Sequence, residues 1–253
     1  MGRVDDLLDA LRTARRVYDE RRDSYADALR DARRSYSQKR DALDMDHLRV
    51  MLGFWLDTDS SCVDIGANRG TVLRMIEERA PGGCHHAFEP LPHRAAQLRV
   101  AFPNVEVHEV ALTNAPGSVR FTVVEEDAVD GYSGITEHLR TLPKGWTTHE
   151  VSVEAARLDD LLPADFVPRF VKIDVEGAEL AVLRGAERLL RGHRPILFLE
   201  HGGRDDTGEI HALLTCLGYA IYDVDGGGPY EDLAAMQAGA RTDKGWLWNW
   251  VCI

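Results

Sequence analysis

Cys62-Val63-Asp64-Ile65-Gly66-Ala67-Asn68-Arg69-Gly70 is the stretch on which the fold turns. A short apolar run ends in a carboxylate, passes through a glycine loop, and leads into a helix near Thr71. Gly66 permits a tight turn that a β-carbon would obstruct, and Gly70 lets the first helical turn approach whatever lies over the loop. The unpaired N–H groups of that helix start favour a ligand carboxylate or phosphate. Asp64, at the strand end, is placed to accept from an ammonium or a hydroxyl. The spacing Asp-x-Gly-x-x-x-Gly departs from the Gly-x-Gly-x-x-Gly of dinucleotide binders, because Asn68 stands where the second glycine would let backbone approach a pyrophosphate. A nucleoside carrying a zwitterionic amino-acid arm suits such a loop better, which points to S-adenosylmethionine. An ordinary strand-to-helix turn accounts for the same residues equally well.

Outward from this loop, strand-like and helix-like runs alternate. Strands are expected at 61–65, 84–88, 105–110, 170–173, 195–199, 219–224 and 247–251. Helices are expected at 71–79, 92–101, 158–162, 177–191, 209–217 and 230–236, with one over 46–58 leading into the domain. Such alternation implies a mostly parallel sheet covered on both faces, with ligands bound at the carboxyl ends of its strands. Asp64, Glu89, Asp174, Glu200 and His201 all fall at those ends. Residues 114–155 break the pattern: alternating stretches at 118–124 and 146–153 flank a polar, glycine-containing segment. They read as an antiparallel insertion with a mobile loop, 125–145, able to cover a site.

Residues 1–45 differ in kind, being crowded with Arg and Asp and free of Pro. Val4, Leu7, Leu11, Ala14 and Tyr18 follow helical spacing, and Tyr25, Ala28 and Ala32 resume it. The expected organisation is an N-terminal helical arm, 1–45, before a catalytic-sized domain at 46–253. The narrow seam suits either packing on its own domain or pairing with a second copy as a homodimer. A net charge of −12 and a pI near 5.3 argue against a non-specific nucleic-acid or anionic-membrane surface. No apolar stretch is long enough to span a bilayer, and Met1-Gly2-Arg3 runs straight into charged residues, so no secretory leader is expected. Cys62, Cys84, Cys216 and Cys252 are scattered, which reads as buried free thiols in a reducing cytoplasm, with no zinc or disulfide framework.

Glu89 follows the glycine loop by the interval, ~20 residues, at which an acid reaches a ribose in doubly wound folds. Ala111 and Leu112, just past the third strand, could line an adenine pocket or simply pack in the core. In Lys172-Ile173-Asp174-Val175-Glu176-Gly177-Ala178-Glu179, Asp174 tips a strand and would face the methyl donor or acceptor. Lys172 shares its strand face and can pair with a carboxylate. Glu176 and Glu179 are explained by a helix start alone. His201 is the first candidate to deprotonate an acceptor hydroxyl, ahead of His138 and His149, although a lone histidine is more often structural. Asp174 and Glu200 sharing a divalent metal is the weaker reading, for want of a third acidic ligand, and no metal is expected.

These segments together resemble the FkbM family of S-adenosylmethionine-dependent methyltransferases. The resemblance rests on Val63–Gly70, Phe88-Glu89-Pro90, Val110-Ala111-Leu112, Arg157–Leu161, Lys172–Leu180 with Val182–Ala186, and Ile196–Glu200, in order over about 60–205. It implies a class I, Rossmann-like methyltransferase fold: a seven-stranded α/β sheet whose last strand is antiparallel. It implies O-methylation of a small molecule, often a sugar or polyketide hydroxyl in natural-product assembly. By position, Asp64, Gly66, Asn68 and Gly70 would hold the methionine arm, Glu89 the ribose, and Ser133 a cofactor-facing loop. Asp174 would lie beside the reacting methyl group. The helical arm lies outside the resemblance. A different class of function, a nucleoside-binding assembly module that uses the arm and does not turn over, would keep the same Asp64 and Glu89.

Overall fold

The computed structural model describes residues 42–125, 132–139, 142, 145–201, 206–224, 227–232, 234–236 and 249–253. Nearly all of the expected arm, and residues 126–131, 140, 141, 143 and 144 of the expected loop, lie outside the described residues. No helix among the described residues is long and apolar enough to cross a membrane.

Four-residue runs of buried side chains make the central strands, as expected of strands covered on both faces, and they are apolar but for Asp64, His85, His86 and Lys172. β1 (Cys62–Ile65) lies between β2 (His85–Phe88) and β8 (Phe170–Ile173), all parallel. β3 (Val105–His108) forms one edge beside β2, and β9 (Ile196–Glu200) continues the parallel order beyond β8. β11 (Asn249–Cys252) then inserts antiparallel between β9 and β10 (Ile221–Asp223). The resulting seven-stranded order is β10-β11-β9-β8-β1-β2-β3, the class I methyltransferase arrangement with its reversed final strand.

Described residues open with a helix, α1 (42–55), whose Leu48 and Leu52 are buried. α2 (Thr71–Arg79) and α3 (Pro92–Ala101) cover one face, with Leu73, Leu98 and Phe102 packed on Ala87 and Val105. Pro92 suits the first turn of α3, where its missing N–H is not needed. The other face carries the main core, from Val63 and Val171 to Leu183, Leu190, Ile210 and Trp250. On that side lie α4 (Leu158–Leu161), α5 (Glu179–Gly185), α6 (Glu187–His193) and α7 (Thr207–Cys216).

The single helix expected over 177–191 is two helices, and the reason is local. A β-carbon on Gly185 would come within 2.1 Å of the Thr113 carbonyl oxygen, so the chain passes this point at close quarters. The Asp159 carboxylate then accepts from the N–H groups of Arg188 (2.7 Å) and Leu189 (3.0 Å), giving α6 a cap supplied from α4.

The insertion forms a sheet of its own, β4-β7-β5-β6. β5 (Gly117–Val124) runs antiparallel to β7 (Thr148–Ala156), and β6 (Gly134–Ile135) pairs on β5. β4 (Ala111–Leu112) joins β7 in parallel, so the second sheet starts before residue 114. Cys62 and Cys252 are buried as expected, whereas Cys84 and Cys216 are exposed.

Candidate active site

A cavity opens at the carboxyl ends of β1, β2 and β8, roofed by the second sheet. Gly66, Asn68, Glu89, Ala111, Leu112, Ser133 and Asp174 line it, so seven of the residues singled out by sequence come together. Three do not: Asp64, Gly70 and His201 are absent from its walls.

Gly66 carries the turn. Its φ is 73°, its N–H and that of Ala67 donate to the Phe88 carbonyl at 3.0 and 3.1 Å, and Asp174 N–H donates to Ile65 O at 3.2 Å. A β-carbon at Gly66 would sit 1.8 Å from the Asp174 carbonyl oxygen. Gly66→Ala is therefore expected to cost about 3 kcal/mol or more, from left-handed strain and backbone collision together. A lowered urea midpoint at unchanged slope is the readout; an unchanged midpoint would mean that the loop does not pass over β8 this closely.

Glu89 is almost fully buried, yet its carboxylate faces the cavity. One oxygen accepts from Asn68 N–H and the other from Leu91 N–H, each at 2.9 Å. Asn68 adopts a positive φ of 45°, which asparagine tolerates, and this aims its N–H at Glu89. Burial pushes the Glu89 carboxyl above its ordinary range, and the two N–H donors offset part of that.

Asp64 requires a correction. It is 1% exposed, and the ammonium it meets belongs to the chain: Lys172 Nζ lies 3.3 Å from Asp64 Oδ1. The same ammonium lies 3.3 Å from Asp174 Oδ2 and donates to the Gly66 carbonyl at 2.7 Å. Burial opposes the charge on Lys172, but Asp174, Asp64 and Glu200 outweigh it and hold its pKa above the ordinary lysine value. Lys172 thus ties β1 to β8 beneath the cavity floor and fixes Asp174 at its rim. Glu200 adds to the field at Lys172.

Gly70 also needs correcting. Its φ is 76°, and a β-carbon would lie 2.4 Å from the Phe102 ring and 2.9 Å from Leu98. The close approach it permits is between the start of α2 and α3. His201 is fully buried, its Nε2 2.8 Å from Thr207 Oγ1 and its ring edge-on to Trp250. Held there between β9, α7 and β11 and apart from the cavity walls, it is not placed to act as a general base. His138 and His149 are likewise absent from the lining.

The sequence did not reveal Phe88, Arg94, Phe121, Ile135 or Val175 as wall residues, and a helix start alone accounted for Glu176. Glu176 has φ 53°, a left-handed conformation that no spacing rule reveals. Phe121 and Ile135 arrive from the second sheet, whose register pairs them directly. Ser133 accepts from Val124 N–H at 2.9 Å, fastening the segment before β6 to β5.

The model of the Methyltransferase FkbM domain matches residues 64–221. "Methyltransferase 1" of Beauveria bassiana (strain ARSEF 2860) is 30% identical over 154 residues, 51% of this chain and 59% of that protein. The chain thus spans less than two thirds of the curated relative it matches. Among solved structures, methyltransferase FkbM from Methylobacillus flagellatus KT superposes with a TM-score of 0.50 at 18% identity, covering 78% of this chain and 44% of that one, a likeness of fold. A precorrin-6y C5,15-methyltransferase from Geobacter metallireducens GS-15 gives a TM-score of 0.41 at 20% identity, over 71% of this chain and 70% of that one.

Proposed function

Because the chain belongs to the FkbM methyltransferase family, we propose that it methylates a hydroxyl of a small molecule at the expense of S-adenosylmethionine, with sugars and polyketide-type intermediates as the acceptor class. The observation that carries this reading is the chemistry of the cavity walls. Glu89, Asp174 and Glu176 supply carboxylates around an apolar slot of Phe88, Ala111 and Leu112, with Arg94 the cationic side chain of the lining. Such walls favour a purine nucleoside with a cationic arm and disfavour a pyrophosphate, which would face three acids.

S-adenosylmethionine, when bound, supplies a sulfonium-borne methyl group open to displacement by an oxygen. Glu89 would accept from the ribose hydroxyls with the lone pairs that Asn68 and Leu91 leave free. Phe88, Ala111 and Leu112 would hold the base, and the backbone of Gly66 and Asn68 the amino-acid arm. Asp174, oriented by Lys172, would align the acceptor hydroxyl and receive its proton. Tyr132, set edge-on to Trp146 at 5.3 Å and next in sequence to Ser133, suits a ring-shaped acceptor.

A deuterium-labelled methyl donor offered with hydroxylated sugars and macrolide aglycones should yield labelled methyl ethers by mass spectrometry. Label found only on nitrogen or carbon would contradict O-methylation, and cofactor binding without any transfer would favour the assembly-module reading. A pH dependence follows from Glu89. Its pKa is raised in the fold, so it protonates at a higher pH than an ordinary glutamate and loses acceptor capacity there. Cofactor affinity should accordingly fall on acidification before ordinary surface carboxylates titrate, and a flat profile down to their range would remove Glu89 from the ribose role.

A further inference from the structure

We propose that His86, Glu106 and His108 form a zinc site that braces the edge of the main sheet, an assignment independent of the methyl-transfer reading. The register places His86 opposite Glu106 and Phe88 opposite His108, so all four side chains stand on one face of the β2–β3 pair. His86 Nδ1 lies 3.0 Å from His108 Nε2, and Glu106 brings its carboxylate oxygens to 3.6 Å from the first and 3.7 Å from the second. Tetrahedral zinc bound at its usual distances separates neighbouring ligand atoms by about 3.3–3.5 Å. These separations lie on either side of that span, the two to Glu106 being to its different oxygens, so rotation of the Glu106 carboxylate and a small parting of the two rings would admit the ion. Two imidazoles and one carboxylate suit zinc better than magnesium or calcium, which prefer all-oxygen shells.

The surroundings are those of a held site. The His108 ring stacks on Phe88 at 4.5 Å and 9°, and the His86 ring meets the edge of Phe166 at 4.6 Å. Aromatic packing on both rings fixes their orientation before any ion arrives. Glu106 is two-thirds exposed, leaving an entry path from solvent.

Zinc here would act through the cavity wall without touching a ligand in it. The carbonyl of His108 accepts from Glu89 N–H at 3.0 Å, and Phe88, stacked on His108, lines the cavity. Clamping β3 to β2 at His108 therefore steadies the residue from which the Glu89 carboxylate projects. Cysteine spacing could not reveal this site, since its ligands come from two strands and meet only through the sheet register.

The test is zinc titration of the untagged, chelator-stripped full chain, followed by calorimetry and by thermal unfolding, with cobalt(II) as a visible-spectrum surrogate. Saturation at one zinc per chain with a Kd below about 1 μM is expected, with a raised unfolding temperature and tetrahedral cobalt bands. Glu106→Ala, which alters an exposed side chain, should weaken binding by about 100-fold or more, and His108→Asn should abolish it. Absence of saturable binding, or equal zinc affinity in the wild type and Glu106→Ala, would overturn the site. If His108→Asn fails to fold, Glu106→Ala decides between these outcomes by itself, because its core is untouched.

Discussion

Replacing Glu89 with glutamine is expected to lower affinity for S-adenosylmethionine by about 100-fold, close to 3 kcal/mol, while the protein stays folded. Each carboxylate oxygen already accepts one backbone N–H, from Asn68 and from Leu91. Glutamine keeps one of these acceptors and sets an NH2 group against the other N–H, so either the Gly66 loop or the start of α3 must shift. Two losses then coincide: a charged acceptor for the ribose hydroxyls and the geometry of the Asn68 peptide. Hydrogen bonds to a charged group are worth about 1.5–3 kcal/mol each when one partner is removed, which sets the scale. Circular dichroism separates the effects, since the far-ultraviolet spectrum should be preserved. A variant that binds with wild-type affinity would take Glu89 out of the cofactor site.

The second large effect concerns stability. Lys172→Met is expected to cost about 3–5 kcal/mol, the range for stripping one partner from a buried ion pair. Methionine fills the volume, so the loss is electrostatic: Asp64, 1% exposed, keeps a buried charge whose nearest cation has gone. The sign with pH is distinctive. Burial already raises the Asp64 pKa, with Lys172 pulling it back, so removing Lys172 raises it further. A carboxyl whose folded pKa lies above its unfolded value gains stability as pH falls through the folded pKa. The deficit of Lys172→Met should therefore shrink on acidification from neutral pH, and Asp64→Asn in the same background should recover part of it. Denaturant melts of both variants at several pH values provide the check. A pH-independent deficit, or none, would mean that Lys172 is not the counter-charge of Asp64.

The residues most legible in sequence were those whose role is set by backbone conformation or by position at a strand tip. Gly66, Asn68, Glu89 and Asp174 lie within a short reach of one another along β1, β2 and β8, so alternation alone assembles them. Roles that depend on which side chain fills a gap were not legible. Asp64 and Lys172 both lie on strands, and only their parallel register, Asp64 opposite Lys172, shows that they pair with each other. Gly70 and Gly66 look alike in sequence, yet one faces α3 and the other β8. His201 ends a strand as Asp174 does, but it is enclosed at its tip by Thr207 and Trp250. The walls from Phe121 and Ile135 required the second sheet, whose first strand, β4, is too short to register as a strand.

Most direct of all is calorimetric titration of the folded full chain with S-adenosylmethionine. Saturation at one molecule per chain, reproduced with the demethylated product and undisturbed by nicotinamide dinucleotides, is the result expected of a cavity walled by Glu89, Asp174 and Glu176. No detectable binding, or displacement by a dinucleotide, would contradict it.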